Sequence, residues 1–186
     1  GSNFTIRKFT TTPLSILDLV EHGTLSHDIA AYLSLVIDEG LNVFIAGETA
    51  SGKTTMMNAV TAFIRPTHKV VSIEDTAELQ VPNPNWTREV VREGSADNEN
   101  SIVSMFTLLK AALRQRPNHI LIGEIRGEEG NIAFQAMQSG HASMATFHAS
   151  SVEKLIQRLT GHPINVPKPY VDNLNVVVIM SAVRLP

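Results

Sequence analysis

Apolar residues fall in short unbroken runs, and the stretches between them carry helical spacing. Leu41-Asn42-Val43-Phe44-Ile45-Ala46, Val70-Val71-Ser72-Ile73-Glu74, Ile120-Leu121-Ile122-Gly123, Ser143-Met144-Ala145-Thr146-Phe147 and Asn175 to Met180 read as buried strands. Continuous apolar runs of this length are what strands covered on both faces require. Thr55 to Ile64 reads as a helix closed by Pro66, and Gly127 to Ser139 as another, with Ile132, Ala133 and Met137 inward and Gly140 after it. Ile102 to Arg114 is amphipathic, with Ile102, Phe106, Leu109 and Leu113 on one face and Pro117 beyond. Ser150 or Ser151 caps a further helix to Leu159. Alternating strands and helices predict an α/β fold, a mostly parallel sheet with helices on both faces.

The start of the chain is less regular. Phe4 to Thr10 alternate apolar and polar, a strand pattern. Thr12 is placed to cap a short helix with Pro13 at its first position, running to Val20 and ending near Gly23. Ser26 caps a second, through Ile29, Leu33, Val36 and Ile37, stopped by Gly40. Leu79 to Val91 holds two β-like pieces around Pro82-Asn83-Pro84-Asn85, a hairpin signal, and Gly94 to Ser101 is polar loop. There are no internal repeats.

Between the first strand and the helix from Thr55 lies Gly47-Glu48-Thr49-Ala50-Ser51-Gly52-Lys53-Thr54. Strand, glycine-cornered loop, Lys-Thr and helix together form the phosphate-binding P-loop pattern. Gly47 and Gly52 let the backbone curl so that amides converge on phosphate oxygens, and the helix N-terminus adds partial positive charge. Lys53 reaches the β- and γ-phosphates, and the Thr54 hydroxyl binds Mg²⁺. Glu48, Thr49, Ala50, Ser51 and Thr55 complete the nucleotide-binding stretch.

In an open parallel sheet, ligands sit beyond the carboxyl ends of the strands. The P-loop, Glu74-Asp75, Glu124 and His148 each follow a strand directly, so four polar groups reach one edge. Ile120 to Glu124 has the form of a Walker B segment, but Gly123 stands where an Asp would bind Mg²⁺. The metal then needs Glu74 or Asp75. Glu124 suits orienting or deprotonating water, with Glu74 in the same network, and the choice of base between the two stays open. Glu74-Asp75 also fits a simple cap on the following turn. His148 is placed to touch the γ-phosphate or relay its state. His141, seven residues earlier, reads equally as a helix-exit residue, and no ligand spacing supports zinc.

Arg88, Arg92, Arg114, Arg116 and Arg126 are candidates for compensating phosphoryl charge, each alone a surface arginine except Arg126, two residues past Glu124. Trp86 reads as packing rather than as a nucleotide stacker.

Composition changes this picture little. The 186 residues suffice for one domain with a real core. Net charge is −3, which speaks against a nucleic-acid partner, and there is no cysteine for a disulfide or thiolate metal site. No apolar run reaches membrane-helix length and no signal peptide is visible. Gly1-Ser2 reads as a tag remnant, residues 3–40 as a linker segment with helices, and 41–186 as a P-loop core truncated at its C-terminal end.

Taken in order, the Walker A loop at Gly47 to Thr54, Ser72-Ile73-Glu74-Asp75-Thr76-Ala77-Glu78-Leu79, Ile120 to Arg126, and Gly140-His141 to His148-Ala149 resemble the four boxes of the secretion ATPase superfamily. Its members power type II secretion, type IV secretion, type IV pili and archaeal surface filaments. Asn3 to Phe9 resembles the segment that links the family's N-terminal domain to its motor, most like the archaeal branch. The resemblance implies a RecA-like core hydrolysing ATP with Mg²⁺. It implies a homohexamer completed by an N-terminal domain, docked in the cytoplasm on an inner-membrane platform protein, peripheral to the membrane and without nucleic acid. It also places Arg7, Arg88 and Arg92 near nucleotide or a neighbouring site, and leads us to expect weak activity from this chain alone. Two other readings carry the same loop: a RecA-like nucleic-acid translocase and a small-molecule kinase. A nucleotide sensor without catalysis is a further one.

Overall fold

A computed structural model of the chain describes residues 4, 6, 12–92 and 102–182. Its elements are, in order, α1 (Ile16–Glu21), α2 (His27–Asp38), β1 (Val43–Gly47), α3 (Lys53–Val60), a 3₁₀ turn (Thr61–Phe63), β2 (Val70–Glu74), β3 (Trp86–Val90), α4 (Met105–Arg114), β4 (His119–Ile125), α5 (Glu129–Gln138), β5 (Ala142–Phe147), α6 (Val152–Thr160), α7 (Lys168–Val171) and β6 (Val176–Met180). The strands form one sheet in the order β3-β2-β4-β5-β1-β6. Every pairing is parallel. β1, β2 and β5 are buried at every position, which is why their sequences run apolar without alternation.

Strand geometry sorts the side chains into two cores. Phe44, Ala46, Ile73, Ile122 and Phe147 face α4, α5 and α6, meeting Leu109, Phe134, Leu155 and Leu159. Val43, Ile45, Val70, Leu121 and Met144 face the other way, onto Leu19, Leu33, Ile37, Met57 and Val60 of α1, α2 and α3. The first two helices thus share a core with the P-loop helix.

Serines cap the helices. Ser26, Ser104 and Ser151 accept the amides of Ile29, Thr107 and Lys154 at 3.2, 3.2 and 3.3 Å. At α1 the cap is Ser15, not Thr12. Ser15 forms a reciprocal box with Asp18, and the helix begins three residues later than Pro13 predicts.

The hairpin expected between Leu79 and Val91 does not form. Only Trp86–Val90 is a strand, and it lies parallel to β2. Leu79 and Val81 are buried in the crossover instead, so their apolar character reflects packing, not pairing. The buried face of α4 is also turned. Met105, Leu109 and Ala112 are buried while Ile102 is exposed, outside the helix, beside the antiparallel bridge Arg92–Val103. The strand expected at Phe4 to Thr10 lies outside the described residues save Phe4 and Ile6. Gly94 to Ser101 lies wholly outside. Among the described residues, no helix is long and apolar enough to cross a membrane.

Candidate functional site

Six parallel strands put all their carboxyl ends on one edge, and a cavity of about 790 Å³ opens there. Thr49 to Thr55, Glu74, Asp75, Gly123, Glu124, Arg126, Thr146, His148 and Arg158 all line it. A volume of this order is that of a small-molecule or cofactor site, and here the lining is mostly polar.

The loop after β1 turns through left-handed backbone at Ala50 (φ 60°) and Gly52 (φ 92°). Gly52 is the N-cap of α3, so the first helical amides and their partial positive charge meet the cavity. Gly47 lies beneath. A Cβ there would stand 2.3 Å from Ser51 Oγ and 2.6 Å from the Met180 carbonyl oxygen, so only glycine lets the loop fold back over the end of β1. Lys53 Nζ donates to the Glu48 carbonyl at 2.8 Å, which draws the ammonium over the loop. Ser51 Oγ is buried without a hydrogen-bond partner.

The carboxylates differ sharply. Glu124 is 24% exposed and accepts Arg126 Nε at 3.0 Å, with a second, very short contact from the same guanidinium. Arg126 also lies 3.7 Å from Asp75, and these partners, Glu124 first, raise its pKa. The amides of Arg126 and Gly127 donate to Glu129 Oε1 at 2.6 and 2.7 Å, which fixes the turn leaving β4. Glu74 is 1% exposed. Its Oε1 accepts the Glu78 and Leu79 amides at 2.8 and 2.7 Å, the turn cap that its sequence position allowed. Its Oε2 lies buried, 3.6 Å from Arg88 Nε. Burial raises the Glu74 pKa, opposed by the two amides and by Arg88.

Gly123, where Walker B would carry an aspartate, packs beside Glu74. A Cβ there would lie 3.3 Å from Glu74 Cγ and 3.4 Å from its Cα, so a side chain at this position would pack tightly against Glu74, which would have to give by a few tenths of an ångström.

His148 Nε2 stands 3.2 Å from Thr49 Oγ1. His141 is at the other end of β5, about 20 Å away by strand rise. It bonds Ser139 Oγ at 3.1 Å and lines a second cavity with Arg65, Arg116, His68 and His119. Among the described residues, no group of three or more His, Cys, Asp or Glu is disposed to hold a metal ion.

The structure thus joins Thr49 to Thr55, Glu74, Asp75, Glu124, Arg126 and His148. It does not bring Arg88 or Arg92 into the lining. Arg88 sits 4.5 Å over the Trp86 ring and donates to the Leu79 carbonyl, while Arg92 is exposed beside the bridge to Val103. Trp86 packs and donates to Ser72 Oγ at 2.9 Å. Arg114 is exposed in the last turn of α4, and Arg7 lies outside the described residues. Sequence reasoning missed Thr146, which donates to the Gly123 carbonyl, and Arg158, which donates to the His148 carbonyl. Thr146 lies within the Gly140 to Ala149 box but was not singled out there, and Arg158 belongs to no recognisable motif. The one signal for Arg158 was its place on a helix directly after a site-bearing strand.

A family model described as type II/IV secretion system protein matches residues 1–182. The chain is 54% identical over 183 residues to the uncharacterized protein MJ0900 of Methanocaldococcus jannaschii, across 98% of this chain and 33% of that protein. It is 38% identical over 130 residues to the type IV secretion system protein PtlH of Bordetella pertussis, across 69% of this chain and 38% of that protein. The solved VirB11 ATPase from the Brucella suis type IV secretion system, in complex with sulphate, is similar at TM-score 0.66 and 29% identity, covering 90% of this chain and 49% of that one. The chain spans about a third of the first of these curated relatives and 38% of the second. The fold it shares with the solved structure is the RecA-like α/β core.

Proposed function

Because this chain belongs to the type II/IV secretion system protein family, we propose that it is the ATP-hydrolysing motor domain of a longer protein that drives secretion or assembly of a pilus-like surface filament. The observation that carries this reading is the convergence of Lys53, Glu124 and His148 in one cavity around the P-loop. The loop amides and Lys53 hold the phosphates. Glu124, the half-open carboxylate at the end of β4, orients the attacking water and accepts its proton, with Arg126 setting its direction. Glu74, buried and bonded to two amides, is a positioning residue that fixes the turn carrying Asp75.

The donor set suits Mg²⁺, since Thr54 and Asp75 offer hard oxygens in the same cavity and phosphates and water supply the rest. When bound, the ion would neutralise charge on the phosphate oxygens.

In the longer protein, an N-terminal domain and neighbouring subunits of a homohexamer complete the site, at the cytoplasmic face of the membrane against a platform protein. ATP and ADP states then differ in how one domain seats on the next. The chain alone turns over slowly. The experiment is phosphate release from ATP by the full-length protein with no acceptor and no nucleic acid. Steady release supports the motor reading. Release only with an added acceptor would mean a kinase, and release only with DNA or RNA a translocase.

A further inference from the structure

The cavity's cations are not equivalent. Arg126 is committed to Glu124 and Asp75, and Lys53 rests on the Glu48 carbonyl. Arg158 also lines the cavity. Among the described residues its guanidinium faces no carboxylate. It donates one N–H to the neutral carbonyl of His148 and lies 5.2 Å over the ring of Phe147. Phe147 is fully buried, and Leu155 and Leu159 of the same helix are too, so Arg158 projects from a firmly seated α6. An arginine has five N–H donors in a planar fork, and most of these remain available to an anion.

Position says which part of an anion it meets. The loop amides at the start of α3 take the inner phosphates, and Lys53 bridges from them to the terminal one. The end of β5 lies next to β1 in the sheet, and its His148 touches the loop at Thr49. A phosphate beyond the inner ones extends toward Glu124 and His148, and Arg158 is tied to the latter's carbonyl.

We infer that Arg158 is a terminal-phosphate contact supplied by the same chain, so that the site distinguishes a nucleoside triphosphate from a diphosphate without help from a neighbouring subunit. This rests on the nucleotide reading above. Because its other ties are to the end of β5, the contact would also brace α6 while a third phosphate is present.

The test is affinity, measured on the 186-residue chain with Mg²⁺ by titration with ADP and with a non-hydrolysable ATP analogue. Arg158→Ala is expected to weaken the triphosphate analogue about ten- to hundredfold, the scale of a charge-assisted hydrogen bond, and ADP less than about threefold. Arg158→Lys, which keeps the charge but not the fork, falls between. Arg158→Gln guards against a folding defect, and each variant's melting temperature is recorded. Equal losses for both nucleotides, or none for either, in variants that fold would overturn the assignment. Failure of the native chain to bind either nucleotide would overturn the nucleotide reading and this inference with it. Native binding of both with an unchanged preference in the variants overturns the inference alone.

Discussion

The His148 imidazole and the Thr49 hydroxyl lie 3.2 Å apart although 99 residues separate them in sequence. The contact exists because β5 and β1 are neighbours, with Phe147 beside Ala46 in register. It ties the phosphate loop to the strand end that leads into α6. His148→Ala is therefore expected to lower ATP turnover of the full-length protein at least about tenfold while changing ADP affinity less than about threefold, since one positional hydrogen bond is lost and the amide cradle stays. Thr49→Val should reproduce part of the loss. Steady-state kinetics beside a binding titration separates the two effects, and unchanged turnover in His148→Ala would remove the histidine from the site.

Glu124 is the carboxylate open to the cavity, and Glu74 the one closed within the protein. Glu124→Gln keeps the shape and removes the proton acceptor. Hydrolysis should fall about 10²- to 10⁴-fold while ATP stays bound. Rapid gel filtration with quantified nucleotide checks the retention. If instead Glu74→Gln abolished turnover and Glu124→Gln did not, the roles would be exchanged.

Gly47 leaves no room for a methyl group, with Ser51 Oγ and the Met180 carbonyl in its place. Gly47→Ala must displace the loop or the end of β6. Overpacking of this kind costs about 1–3 kcal/mol, which for a domain this size lowers the melting temperature by about 2–4 °C per kcal/mol. Nucleotide binding should suffer more than stability, because the displaced backbone is the cradle itself. A folded Gly47→Ala that binds as the native chain does would show that the loop is more tolerant than this packing allows.

At the opposite edge of the sheet, His119 is buried and its Nε2 sits 3.2 Å from His68 Nδ1. Burial, with His68 as a smaller cause, lowers its pKa from 6.5 to about 4. The folded state thus binds the proton less readily than the unfolded chain. Stability is retained above about pH 6.5 and lost as pH falls toward 4. For this one group the loss reaches at most about 3 kcal/mol. Urea denaturation at a series of pH values should show a decline that His119→Phe flattens, and identical slopes would mean His119 titrates as it does in water.

The parts of the fold legible in the sequence are those where one constraint dominates. Strands covered on both faces have no choice but to be apolar throughout, so β1, β2, β4 and β5 stand out from their residues, while β6, a partly exposed edge strand, stands out only because Val176 to Met180 is apolar without a break. The phosphate loop is legible because its geometry excludes side chains at Gly47 and favours glycine at Gly52. β3 was not, because an edge strand such as Trp86–Val90 is half exposed and a parallel crossover carries the same turn residues as a hairpin. The α4 face was misjudged because Ile102 continues the helical spacing one turn past Ser104, where the cap ends the helix. Strand order is invisible in local pattern, so the sequence could not show that His148 meets Thr49 or deliver Arg158 to the cavity. Nor could it show that Gly123 packs against Glu74.

The most direct measurement is calorimetric titration of the native chain and of Lys53→Ala with ATP and Mg²⁺. One saturable site is expected in the native chain, and in Lys53→Ala a loss of at least about tenfold, the loss of an ammonium from the phosphates. No heat of binding in the native chain, or equal affinity in the two, would contradict a triphosphate held at the strand ends by this loop.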